Sequence, residues 1–374
     1  MQARIDTAEP LLRAILAAPA RLQELSGRDW DLLLRQARAS TLVGGLAHAI
    51  EQDGRAGLVP PEVWRHLEGE RRFAQRLAHD VRQEVERVAE PLRLAGTDVI
   101  LLKGAAYVLD DLPPAHGRSF SDIDVMVPRS DIAAAERYLK ISGWRSKELD
   151  RWDDRFYRVW MHEVPPLVHA ASASVVDLHH TIVPLTARIQ LDARLLFEAA
   201  RPAALDPTIK VLAPADMVLH AATHLFNEGE FDRGLRDLVD LDLLLRHFGQ
   251  EPGFWRRLLA RAEQLDLGRP AWYALRYTAR FLGTPVPEAT LRESKRFAPA
   301  LPPVMDRLFE RALTPPHPSC RGIGTQLALT LLYWRAHHLR LPLHLLIPHL
   351  LRKSWKRGAG AGQVAQPGVP NLNR

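Results

Sequence analysis

Residues 101–127 read LLKGAAYVLDDLPPAHGRSFSDIDVMV, and near the end of this stretch Asp122 and Asp124 stand one residue apart inside an apolar run. In a β-strand, residues i and i+2 point to the same face, so Asp-Ile-Asp projects two carboxylates together while Ile123 enters the core. Two carboxylates side by side repel each other unless a cation lies between them. Mg²⁺ commonly takes one or two carboxylates together with the oxygens of a substrate phosphate. The stretch therefore points to metal-assisted phosphate chemistry on a strand.

Working outward, 97–102 reads as a buried strand, 104–109 as a short helix, 111–121 as a Pro/Gly loop and 123–127 as a second strand. Pro128 opens a helix through RSDIAAAERYLKISGW, with Gly143 placed after its end. Further strands are expected at 155–160 and 174–179. The region 94–200 is thus an α+β unit. On either side the periodicity is helical. Region 1–93 is divided near 58 by Gly54, Gly57, Pro60 and Pro61, and region 201–357 includes a helix opened by Pro214 and others around 254–283, 303–313 and 324–339. Residues 358–374 have nothing to bury and are expected to form a disordered tail.

A two-metal site needs a further carboxylate. Asp177 lies in SVVDLHH, where strand alternation puts Asp177 and His179 on one face, opposite Val176 and Leu178. If this strand neighbours the one bearing Asp122 and Asp124, three carboxylates converge. Asp122 and Asp124 would then bridge two Mg²⁺ ions, and Asp177 would bind one of them or take the acceptor's proton. Gly104 would let the backbone approach a phosphate, with Lys103 beside it as a compact cation. Arg118 and Ser121 would hydrogen-bond the remaining phosphate oxygens, and His179 would contact substrate from the Asp177 face.

Composition narrows the alternatives. A chain of 374 residues with 47% hydrophobic and 25% charged residues is ordinary for a globular protein with real cores. A lone cysteine, Cys320, excludes an internal disulfide and a cysteine-rich zinc site, so the expected compartment is the cytoplasm. The N-terminus has Asp6 and Glu9 before an apolar stretch broken by Arg13, unlike a secretory signal, and no apolar run is long enough to span a bilayer. The net charge of +6 is spread along the chain, and only seven of the fifty basic residues are lysine, which makes Lys103 stand out. No aromatic and basic interleaving marks a nucleic-acid platform. The basic, apolar stretch 327–357 suits core helices with a snorkelling rim better than peripheral membrane contact. His220 and His224 have a metal-compatible i, i+4 spacing, but Ala221 stands where a zinc protease has glutamate and no third ligand is evident.

The order LLKGAAY, RSFSDIDVMV, a helix ending near Gly143-Trp144 and then VDLH resembles the uncharacterised-type nucleotidyltransferases of the DNA polymerase β-like superfamily, a branch found in bacterial biosynthetic gene clusters. The resemblance implies a minimal nucleotidyltransferase core, a mixed β-sheet with flanking helices. It also implies Mg²⁺-dependent transfer of a nucleoside monophosphate from an NTP to a hydroxyl-type acceptor on a small molecule, peptide or protein. Asp122 and Asp124 match the metal pair, Asp177 the third carboxylate and Gly104 the phosphate-turn glycine. Ala105 stands where the wider superfamily has serine, so Lys103-Gly104 replaces the usual glycine-serine pair. Histidines like His224 recur in the resembling family, which implies a place in the acceptor pocket. Two other roles are compatible with the resemblance: a catalytically silent NTP-binding module, against which the three intact acidic positions argue, and a toxin-antitoxin or abortive-infection enzyme that modifies RNA or a protein.

Overall fold

The computed structural model describes residues 9–146, 149–342 and 344–345. Its strands are β1 (Ile100–Leu101), β2 (Ile123–Met126), β3 (Trp144–Ser146), β4 (Leu167–His169), β5 (Val175–His179), β6 (Arg201–Pro202) and β7 (Lys210–Val211). They form one mixed sheet in the order β3-β4-β5-β2-β1-β7-β6. β2 lies parallel to β5 and antiparallel to β1, while β3, β4 and β5 form an antiparallel run at one side. The fold is α+β, with helical regions before and after the sheet in the chain.

The central strands are β-branched and apolar because both faces are covered. Ile123, Val125, Val176 and Leu178 are buried, as are Val81, Val85, Val88 and Leu92 of the long Pro61–Leu94 helix that packs in the same core. After the Ile132–Ile141 helix, Gly143 takes φ +96°, the left-handed conformation that lets the chain turn directly into β3.

The segment expected as a strand at 155–160 is instead part of a helix, Arg151–Trp160. Asp150 caps it by accepting from the amides of Trp152 (2.9 Å) and Asp153 (3.0 Å), and Asp153 and Asp154 suit the positive end of its dipole. Trp152, Phe156 and Trp160 recur every fourth residue and meet along one side, the first pair stacked and the second edge to face. The other expected strands are present but shorter. Two long helical stretches are each broken, into Pro214–Asn227 with Gly234–Phe248 and into Phe254–Gln264 with Gly268–Leu282.

The N-terminal helices grip the loop that leads to β2. Gly117 has φ +77°, and a Cβ on Gly44, in the Val43–Gln52 helix, would lie 2.6 Å from the Gly117 carbonyl oxygen. Beside this crossing the rings of His48 and His116 stack at 4.7 Å. The expected tail 358–374 and the basic stretch from 346 onward lie outside the described residues, among which no helix is long and apolar enough to cross a membrane.

Candidate active site

Parallel pairing of β2 with β5 sets Asp124 directly opposite Asp177. Asp122, two residues before Asp124, is exposed at the strand's start and accepts a hydrogen bond from Ser121 Oγ at 2.9 Å. The strand adjacency on which convergence of the three carboxylates depended is therefore present.

Asp124 is 5% exposed, and its Oδ1 accepts from Lys103 Nζ at 3.0 Å and from His179 Nε2 at 3.1 Å. Lys103 reaches it because β1 ends alongside β2: the Leu102 amide donates to the Asp124 carbonyl at 2.9 Å, and the next residue opens the Lys103–Leu109 helix. Lys103 does so at φ +45°, an uncommon conformation for a residue with a Cβ. Burial works against both charges, but the pair outweighs it. Asp124 is held well below the ordinary carboxylate range by Lys103 and His179, and Lys103 is held above its own by Asp124 and Glu228.

Asp177 sits differently. Its Oδ1 is buried with no hydrogen-bond partner among the described residues. Burial, then the charges of Asp124 and Glu163, push its carboxyl up to about 7, with His179 opposing. A buried, unsatisfied carboxylate oxygen opposite a second carboxylate is what an oxygen-ligated cation would complete.

The remaining predicted residues divide. Arg118 is ion-paired with Asp240 of the Gly234–Phe248 helix and lies over the rings of Tyr107 (5.4 Å) and Phe120 (6.0 Å). The structure thus places it against the helical region, with Asp240 as its partner. Gly104 is buried, and a Cβ there would meet Phe120 at 2.9 Å, so its small size is required by packing. His224 makes an ion pair with Glu228 at 2.6 Å, and His220, one turn earlier, is buried and held well below its usual range by burial and by Lys103.

Three neighbours escaped the sequence reading. His162 and Glu163 lie beside His179: the Val164 amide donates to the Leu178 carbonyl (3.0 Å) and the His180 amide to the His162 carbonyl (2.9 Å), fastening 162–164 to β5. Their signal was a bare His-Glu dipeptide with no spacing motif. Arg233 donates to Ser121 Oγ at 3.5 Å, and burial together with nearby Arg236 depresses it, with Asp122 opposing. A crowded arginine pair near Asp122 is suited to an anionic ligand.

A family model described as uncharacterised nucleotidyltransferase matches residues 26–283. The chain belongs to this nucleotidyltransferase family. The match runs from Ser26, which caps the Gly27–Ala39 helix, to Gly283, which ends the Gly268–Leu282 helix, and so contains every site residue named above. None of the curated proteins compared with the chain matches it. In this nucleotidyltransferase the three carboxylates offer oxygen donors only, the set that a hard ion such as Mg²⁺ prefers.

Proposed function

We propose that the protein is a Mg²⁺-dependent nucleotidyltransferase that moves a nucleoside monophosphate from an NTP to a hydroxyl-type acceptor, releasing pyrophosphate. The observation that carries this is the Asp124–Asp177 register pair with Asp122 beside it, three carboxylates on adjacent strands in a chain of this family. Asp122, Asp124 and Asp177 would hold the metal, whose positive charge would stabilise the departing pyrophosphate and lower the pKa of the acceptor hydroxyl.

The chain's own residues do the rest. Lys103, kept charged by Asp124, presents a fixed cation to the phosphates, and Arg233 and Ser121 take the part of the triphosphate nearest Asp122. Asp177, in register with Asp124 on the neighbouring strand, takes the proton of the acceptor hydroxyl. The acceptor approaches past His162, Thr223, Asn227, Glu228 and Arg340, which line a small cleft beside the site with apolar walls from Ile182 and Val183. Basic residues spread along the chain suit a small-molecule or peptide acceptor better than a duplex nucleic acid, which needs a broad basic face.

Incubation with Mg²⁺ and each of the four NTPs, across a panel of alcohols, hydroxyl-bearing peptides and proteins, should give pyrophosphate and an acceptor heavier by one nucleotide. Asp122→Asn and Asp124→Asn should each lower the rate by about 10³-fold or more. Absence of product with every pair, together with NTP binding that is independent of Mg²⁺ and unchanged in Asp122→Asn, would instead identify a silent binding module.

A further inference from the structure

Apart from the three carboxylates, the described residues contain one further cluster of groups able to hold a metal ion. His162, Glu163 and His179 each place a potential ligand atom within 4.8 Å of the other two. Glu163 Oε2 stands 3.6 Å from His179 Nδ1 and 3.8 Å from His162 Nε2. Both separations are too long for hydrogen bonds. They approach the spacing of two donors on one tetrahedral ion, about 3.4 Å for bonds of about 2.1 Å.

The histidines carry the second, independent sign. His179 is 2% exposed, and its Nδ1, facing Glu163, is buried without a hydrogen-bond partner among the described residues. Its other nitrogen, Nε2, is engaged by Asp124 at 3.1 Å. A carboxylate on one ring nitrogen fixes the tautomer and leaves a lone pair on the other, the arrangement by which metal-binding histidines are oriented. His162 is 7% exposed, its Nε2 is the nitrogen facing Glu163, and its ring lies 5.3 Å from that of His179 at 30°. All three residues are held on sheet backbone, through the Glu163–His179 bridge and the flanking amide bonds to β5, so the cluster is preorganised. His162 also lines the cleft described above, which gives an ion a route in.

We propose that His162, Glu163 and His179 form a metal site distinct from the carboxylate site and specific for a divalent transition ion of the zinc class. Two imidazoles and one carboxylate are borderline donors that zinc accepts, whereas magnesium prefers oxygen alone. The ion binds His179 through Nδ1, so that Asp124 links the two sites through a single imidazole. Its binding requires neither nucleotide nor the transfer activity.

The full-length protein, stripped with EDTA and dialysed against micromolar Zn²⁺, should retain about one equivalent by elemental mass spectrometry. With Co²⁺ it should show the intense visible bands of a low-coordinate, nitrogen-ligated ion. Glu163→Gln, which keeps size and shape, and His162→Ala should each weaken Zn²⁺ binding at least tenfold and abolish those bands, whereas Asp122→Asn should leave both intact. Circular dichroism checks that each variant is folded, and Glu163→Gln decides the matter should His162→Ala not fold. The proposal is overturned if the wild type retains no zinc, if Glu163→Gln binds it as tightly as the wild type, or if Asp122→Asn loses it equally. The last result would place the ion among the carboxylates.

Discussion

Asp177 and Asp124 are register partners on neighbouring strands, yet their acidities shift in opposite directions, because Asp124 has Lys103 and His179 on one oxygen while Asp177 has a buried oxygen with no partner among the described residues. Stability should report the difference. In EDTA the folded Asp177 carboxyl keeps its proton up to about 7, whereas the unfolded chain releases it near the ordinary aspartate value of 3.8. The folded state thus binds more protons between these values, and this residue's contribution is full below the lower one and lost as pH rises through the higher. Asp177→Asn removes the loss. Chemical denaturation should find the variant more stable than the wild type by roughly 1–3 kcal/mol at about pH 8, with the gap closing toward about pH 4. Adding Mg²⁺ at the higher pH should stabilise the wild type more than the variant. A gap that is constant with pH would mean that Asp177 is ordinarily ionised when folded. The three aspartates were legible in the sequence because each lies in an alternating apolar run, where a polar residue is conspicuous. His162 and Glu163 were not, since they sit between a helix and a strand in a segment whose position is set by hydrogen bonds to β5 rather than by any local period.

Among the elements, the loop between the Lys103–Leu109 helix and β2 is held from outside the sheet. Gly117 adopts a left-handed backbone and meets Gly44 of the Val43–Gln52 helix backbone to backbone. A side chain at Gly117 meets both a conformational penalty and a steric one. Gly117→Ala should destabilise by about 2 kcal/mol or more in urea titration, and it should also slow NTP turnover, because Arg118, Ser121 and Asp122 follow within five residues. An unchanged stability would show that the helix and loop separate easily. This contact was invisible in the sequence, where Gly44 lies within a helical stretch and Gly117 within the Pro/Gly loop 111–121. The misreading of Arg151–Trp160 has a different cause. Its aromatic and apolar residues resemble a strand over 155–160, and only the cap at Asp150 and the fourfold spacing of Trp152, Phe156 and Trp160 reveal the helix. The strands β3, β4, β6 and β7 are two or three residues long, too short for any period to register.

At the scale of the molecule, the sequence divides into helical, mixed and helical zones, but the ties across them are long-range. Leu235, from the Gly234–Phe248 helix, is buried in the N-terminal cluster with Leu12, Leu33, Leu46 and Leu67. Gln36 joins distant parts of the chain: its Oε1 accepts from the Leu12 amide at 2.9 Å and its Nε2 donates to Ser319 Oγ at 3.0 Å, a partner 283 residues away. The guanidinium of Arg13 lies 4.6 Å from the centroid of the Phe281 ring. The Leu235 and Arg13 ties connect helices that precede the sheet to helices that follow it, the Gln36 tie reaches a turn farther along the chain, and the Gly234–Phe248 helix also supplies Asp240 to Arg118. Burial shared in this way makes unfolding of one zone expose apolar surface on another, so calorimetry should show a single transition for the intact chain. Leu235→Ala should lower stability by about 2–5 kcal/mol, the cost of a buried cavity, and still leave one transition. Two resolved transitions in the wild type would mean that the helical lead-in melts by itself. In that case the loop bearing Arg118 and Asp122 should lose its support at the lower one, and NTP turnover should fall there rather than at the higher.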